Sequence, residues 1–130
     1  MADSLCVFVV DDDASARTGL TRLLRTVIDE VQSFSSADEF LEALGTRVSI
    51  NCNYGCLVLD ARMPGLSGEA LDRALKAHGY HFPVIVVTAD DDETTRRRAL
   101  QMGAVGFFRK PIDGAALIDA VQWALQSKHT

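Results

Sequence analysis

Three unbroken apolar runs constrain this chain most: Leu5-Cys-Val-Phe-Val-Val10, Cys56-Leu-Val-Leu59 and Val84-Ile-Val-Val87. Each is rich in branched side chains and too short for a buried helix, so each predicts a strand covered on both faces. Helical stripes separate them. Ala16, Leu20, Leu23, Leu24 and Val27 share one helical face. Ser36-Ala-Asp-Glu39 has the form of a capping box, and Phe40, Leu41 and Leu44 follow as a short helix closed by Gly45. Pro64, Gly65 and Gly68 break the chain before a helix carrying Ala70, Leu71, Ala74 and Leu75. A helix from about Glu93 to Met102 stops at Gly103, and the last helix carries Leu117, Ile118, Val121, Ala124 and Leu125. Val31 to Phe34 and Val105 to Phe108 supply two shorter strands, and residues 46–54 read as a polar loop.

The order is therefore βα repeated five times, an α/β class in which right-handed crossovers build a doubly wound parallel sheet. With 130 residues there is one domain, expected to have its core over about 5–125. Surface scaling has folding hide roughly two-thirds of the unfolded chain's area, about 13,000–14,000 Å². Eighteen acidic against thirteen basic residues give a net charge of −5, which disfavours direct nucleic-acid binding. No apolar run reaches the roughly 20 residues of a membrane helix, and the start lacks a signal-peptide pattern. Three cysteines, an odd number in a chain that needs no cross-links, favour a reducing, cytoplasmic setting.

Open α/β sheets carry their sites beyond the carboxyl ends of the strands. The first, third, fourth and fifth strands end at Asp11/Asp12, Asp60, Thr88 and Lys110. These four polar stops should converge at one rim. Carboxylates about 5 Å apart repel by roughly 3 kcal/mol at an effective dielectric of 20, so such a cluster needs compensation. Lys110 supplies one positive charge, and a hard divalent cation, Mg²⁺ or Mn²⁺, suits a donor set made only of oxygen. A carboxylate nucleophile beside such an ion, with Lys and Thr donors, is equipped for phosphoryl transfer to aspartate.

Val9-Val-Asp11-Asp12, Leu59-Asp60-x-x-Met63-Pro64-Gly65, Val86-Val-Thr88-Ala89 and Gly103-Ala104 through Lys110-Pro111 together resemble the receiver domain of bacterial two-component response regulators. The likeness runs from about Leu5 to Leu125. It implies a flavodoxin-like sheet with strand order 2-1-3-4-5. It also implies that Asp60 accepts a phosphoryl group from the phosphohistidine of a sensor histidine kinase or phosphotransfer protein. Asp12 and Asp60 match the direct Mg²⁺ ligands, the Arg62 backbone carbonyl the third protein ligand, and Asp11 an acidic partner acting through water. Lys110 matches the lysine that pairs with the acyl phosphate, and Pro111 the proline that commonly follows a cis peptide bond. Thr88 would swing its hydroxyl onto the phosphate, small Ala89 would leave the phosphate accessible, and Phe107 would turn inward as the switch aromatic. Arg62 and Asp90, two positions beyond site residues, would tune the phosphoryl lifetime. The output would be the face of the fourth helix, fifth strand and fifth helix, through which many members dimerise on phosphorylation. The run Met63 to Gly68 looks like receivers that precede helix-turn-helix output domains, which favours the receiver part of a longer transcription factor over a stand-alone regulator.

Plainer readings stand beside these. The acidic run could be a solvated strand end, and Asp13 is expected to cap the first helix. Lys110 could be a surface charge, Thr88 an ordinary strand residue, and Phe107 and Phe108 simple core. Arg96-Arg97-Arg98 follows Asp90 to Glu93, so a solvated, ion-paired helix is expected there. Cys52 and Cys56 lack the further ligands of a zinc site. His78, His81 and His129 read as surface residues, and Trp123 as packed or interfacial. Two other functions use the same residues: a haloacid-dehalogenase-like phosphatase that forms an aspartyl phosphate, and a receiver-like module that binds without phosphorylation. The chain is short for the former's cap, and the intact set of acids, threonine and lysine argues against the latter. The reading is a switch and not a turnover enzyme.

Overall fold

The structure, a computed structural model, describes residues 5–46, 54–61, 68–89 and 92–127. Strands and helices alternate as β1 (Leu5–Val10), α1 (Ala14–Arg25), β2 (Glu30–Phe34), α2 (Ala37–Thr46) and β3 (Tyr54–Asp60), and then α3 (Gly68–Ala77), β4 (Val84–Thr88), α4 (Glu93–Gln101), β5 (Gly106–Arg109) and α5 (Gly114–Ser127). All pairings are parallel, in the order β2-β1-β3-β4-β5. The flavodoxin-like, doubly wound sheet expected from the sequence is the sheet observed.

Side chains alternate across each strand, and the alternation separates two cores. Phe8, Val10, Leu57, Leu59, Val84 and Val86 face the side covered by Phe40 and Leu44 of α2, Leu71 and Leu75 of α3, and Ala99 of α4. Val7, Val9, Cys56, Val58, Ile85 and Val87 face the side covered by Leu20 and Leu24 of α1 and Leu117, Val121 and Leu125 of α5. Burial on both faces is why β1 and β4 read as continuous apolar runs and not as alternating ones.

The caps follow local chemistry. Asp13 Oδ1 accepts the Ser15 and Ala16 amides at 2.9 and 3.4 Å and so caps α1. Ser36 Oγ accepts the Glu39 amide at 3.0 Å, but the Glu39 carboxylate accepts the Ser35 hydroxyl at 2.8 Å. Two sequence expectations shift and a third holds. The α1 stripe ends a turn early, because Thr26 caps the helix at Leu23 and Leu24; Val27 is then exposed and Ile28 takes its buried place. The second helix runs past Gly45 to Thr46, since glycine lowers helix propensity by only about 1 kcal/mol and stops nothing by itself. Gly103 does end α4, with φ at +76°, a backbone conformation that glycine adopts without strain.

Cys6 is fully buried and disulfide-bonded, with its partner outside the described residues. An odd cysteine count excludes complete pairing but not one pair, so the argument from cysteines to a reducing compartment does not hold. Cys56 is buried and free, its thiol pushed up to about 12 by burial.

Gly55 is required by close packing. A Cβ there would stand 2.8 Å from the Phe82 ring and 3.1 Å from Phe8. Gly19, in the middle of α1, has nothing within 4 Å of a Cβ. Urea denaturation should therefore show Gly55→Ala losing about 1–3 kcal/mol through overpacking. Gly19→Ala should gain roughly 0.5–1 kcal/mol by helix propensity. Equal effects from the two would contradict the packing described.

Candidate functional site

The sheet delivers its polar stops to one rim. Asp11 extends β1 by one ladder bond, its amide donating to the Phe34 carbonyl at 3.1 Å, and its side chain is fully buried. Asp60 is the last residue of β3 and 7 % exposed, and Thr88, the last of β4, is fully buried. The Lys110 amide donates to the Thr88 carbonyl at 2.7 Å, which carries the β4–β5 pairing one step beyond β5. The Lys110–Pro111 peptide bond is cis.

Strand alternation decides which of these side chains meet. Asp11 follows Val7 and Val9, Asp60 follows Cys56 and Val58, and Lys110 follows Phe108, all on the side of α1 and α5. The Lys110 Nζ donates to Asp11 Oδ2 at 3.0 Å and to Asp60 Oδ2 at 3.3 Å. Asp12, exposed on the loop after β1, brings a third carboxylate. One oxygen from each of Asp11, Asp12 and Asp60 lies within 4.8 Å of the others. Thr88 and Phe107 lie on the opposite face, toward α4, since Thr88 follows Val84 and Val86, and Phe107 pairs in register with Val86.

Asp11 is tethered at every polar atom. Its Oδ1 accepts the Asp13 amide at 2.9 Å, its Oδ2 accepts Lys110, and its carbonyl accepts Arg17 Nη1 at 2.8 Å. Burial raises its carboxyl above the ordinary 3.8, and neighbouring Asp60 adds to the rise; the Asp13 amide and Lys110 pull the other way and lose. For Lys110, burial alone would lower the ammonium, but hydrogen bonds and charge from Asp11 and Asp60 outweigh it, and the net shift is upward.

Three carboxylates against one ammonium leave about two negative charges in excess at this rim. The donors are all oxygen, so the set fits a hard divalent ion such as Mg²⁺ and offers nothing to a thiophilic one. Arg62, expected to contribute its carbonyl, lies outside the described residues, as do Met63 to Gly65, Asp90, Cys52 and His129.

Two contacts escape sequence reading. Arg17, one turn beyond the cap Asp13, reaches back to the Asp11 carbonyl; its spacing from the cap is the only signal available beforehand. The Arg96–Arg98 run is not uniformly solvated. Arg97 pairs with Glu93 at 3.0 Å as an ion-paired helix predicts, whereas Arg96 lies over the Phe107 ring, with Cζ 5.3 Å from its centroid. His78 and His81 are exposed, and Trp123 is 56 % exposed.

The model of the response regulator receiver domain family matches residues 7–122. The chain is 43 % identical over 119 residues to the transcriptional regulatory protein TdiR of Thauera aromatica, covering 92 % of this chain and 50 % of that protein. It is 41 % identical over 125 residues to the transcriptional regulatory protein FixJ of Azorhizobium caulinodans, covering 96 % and 57 %. Among solved structures it is similar to the response regulator StyR, with TM-score 0.78, 42 % identity and coverage of 97 % of this chain and 61 % of that one. It is also similar to FixJ-N, with TM-score 0.79, 32 % identity and coverage of 97 % and 96 %. The chain spans about half the length of the sequence relatives it matches. Among the described residues no helix is long and apolar enough to cross a membrane.

The raised Asp11 carboxyl has a consequence for stability. Because the folded state holds this proton more tightly than the unfolded chain does, stability falls as pH climbs from 3.8 through the folded value, and stays lowered above it. In buffer stripped of divalent ions, Asp11→Asn should raise unfolding stability at pH 7, because it removes a buried charge and its repulsion with Asp60. Denaturation at several pH values should show that gain shrinking toward zero as pH falls to 3.8. A pH-independent gain would contradict the charge assignment.

Proposed function

The chain belongs to the response regulator receiver domain family, and on that footing we propose that it is a phosphorylation-dependent signalling switch whose acceptor is Asp60. One observation carries the reading: the Asp60 carboxylate, at the end of a buried strand, shares Lys110 with Asp11 and lies beside Asp12. The 130 residues form a single receiver with its core over about 5–125, the regulatory part of a longer cytoplasmic transcription factor. Its donor is the phosphohistidine of a sensor histidine kinase or phosphotransfer protein. The chain itself contacts neither nucleic acid nor membrane.

An Asp60 carboxylate oxygen attacks phosphorus in line, the P–N bond to the donor histidine breaks, and its electron pair returns to the imidazole. The product is an acyl phosphate on Asp60. Asp12 and Asp60 would hold Mg²⁺ directly, with Mn²⁺ able to substitute, the Arg62 carbonyl would be the third protein ligand, and Asp11 would act through water. The ion, when bound, neutralises charge on the transferring phosphoryl oxygens. Lys110 keeps its proton and leaves Asp60 to pair with a phosphate oxygen. Water attack on phosphorus later releases the group, so the cycle is self-limiting and not turnover of an external ester.

Thr88 and Phe107 read the new charge. The Thr88 hydroxyl donates to a phosphate oxygen, and Phe107 turns into the space this leaves. Moving a two-state equilibrium from 1:99 to 99:1 takes about 5.5 kcal/mol of differential interaction, within reach of several charge-assisted contacts. The output face is α4, β5 and α5. Exposed Leu100, Val105 and Trp123 support its pairing with a second phosphorylated copy.

Acetyl phosphate with Mg²⁺, followed by intact mass, tests the acceptor. The wild type should gain one labile phosphoryl group that hydroxylamine removes, Asp60→Asn none, and Asp12→Ala should lose metal dependence along with reactivity. Unchanged labelling of Asp60→Asn overturns the assignment. Catalytic hydrolysis of small phosphate esters would favour a phosphatase.

A further inference from the structure

Of the three consecutive arginines on α4, Arg96 alone among the described contacts joins that helix to β5. Arg97 turns back along its own helix to Glu93. Arg96, one turn beyond the cap Asp92, whose carbonyl accepts its amide at 3.1 Å, lays its guanidinium over Phe107. The arginine is exposed, and the ring is half-buried against the core under α2, α3 and α4. A guanidinium is attracted to the negative face of an aromatic ring. It cannot follow that ring inward, because carrying a guanidinium charge from solvent into an apolar interior costs far more than the contact returns. Any inward turn of Phe107 therefore breaks the pair.

We propose that Arg96 is a positioning residue that latches Phe107 in its outer pose, so that the strength of this one contact sets how much of the protein occupies the inner pose before phosphorylation. The latch rests on the reading of Phe107 as the switch aromatic given above. Its size follows from the exposure of the contact: an exposed cation–π pair changes a population ratio by about two- to five-fold. That is enough to bias a resting equilibrium and too little to block phosphorylation. The same helix carries the exposed Leu100, so a latch here ties the ring's position to the helix that offers the output surface.

Fluorine NMR on the full chain with fluorinated phenylalanine reads the ring directly, its resonance assigned by its disappearance in Phe107→Leu. Beryllofluoride with Mg²⁺ defines the inner pose. Without them, Arg96→Gln should move the resonance part of the way toward the inner position, raising the inner-to-outer ratio about two- to five-fold. Arg96→Lys, which keeps a cation, should lie nearer the wild type, and Arg97→Gln should not move it. A resonance unmoved in Arg96→Gln, or moved equally in Arg97→Gln, overturns the latch. So does a lysine variant displaced as far as the glutamine one. A wild-type resonance indifferent to beryllofluoride overturns the switch reading itself, and the latch with it.

Discussion

A single ammonium group reconciles the fold with the rim it builds. Lys110 stands 3.0 Å from one buried carboxylate and 3.3 Å from another, and these lie at the ends of β1 and β3, two neighbouring interior strands. Without a cation, burial and the neighbouring Asp60 charge would oppose ionising Asp11 still more. The sheet can end two adjacent strands in aspartate because β5 ends in a lysine long enough to reach across β4 to both. The upward shifts at Asp11 and Lys110 are two expressions of that arrangement, one dominated by burial and one by attraction.

The alternation of strand side chains divides the labour. Asp11, Asp60 and Lys110 lie on the side of α1 and α5, and Thr88 and Phe107 on the side of α4. The carboxylates and their lysine are thus assembled on one face of the sheet's end, and the threonine and the ring on the other. The third aspartate of the run, Asp13, gives the cluster only its amide, which donates to Asp11 Oδ1, while its carboxylate holds the first turn of α1 and fixes where that helix starts.

Much of this was legible in the sequence, for a definite reason. Buried parallel strands have to be apolar on both faces, so β1, β3 and β4 declare themselves, and any polar residue at their ends is conspicuous. That logic located Asp11, Asp12, Asp60, Thr88 and Lys110 at a common rim before any coordinates. What was not legible depends on contacts between distant elements. Nothing in the run Arg96–Arg98 says which arginine finds the Phe107 ring, because that follows from how α4 is rotated over β5. The early end of α1 turned on Thr26 satisfying two carbonyls, which the apolar spacing of Val27 concealed. The strand expected from Cys56 begins at Tyr54, and nothing in the sequence marks Gly55 as the place where the Phe82 and Phe8 rings fill the space beside the backbone.

A file of touching rings runs from Phe34 through Phe40 and Phe8 to Phe82 and Tyr80, with successive centroids 5.1–5.5 Å apart. It braces the sheet from β2 to the foot of β4. At the opposite flank, β5 is four residues long and only half-covered, and its ring is held by an exposed arginine instead of another ring. The two wings are thus packed differently: one flank of the sheet rests on a continuous aromatic file, and the other ends in a short strand whose Phe107 ring is covered by a single exposed side chain.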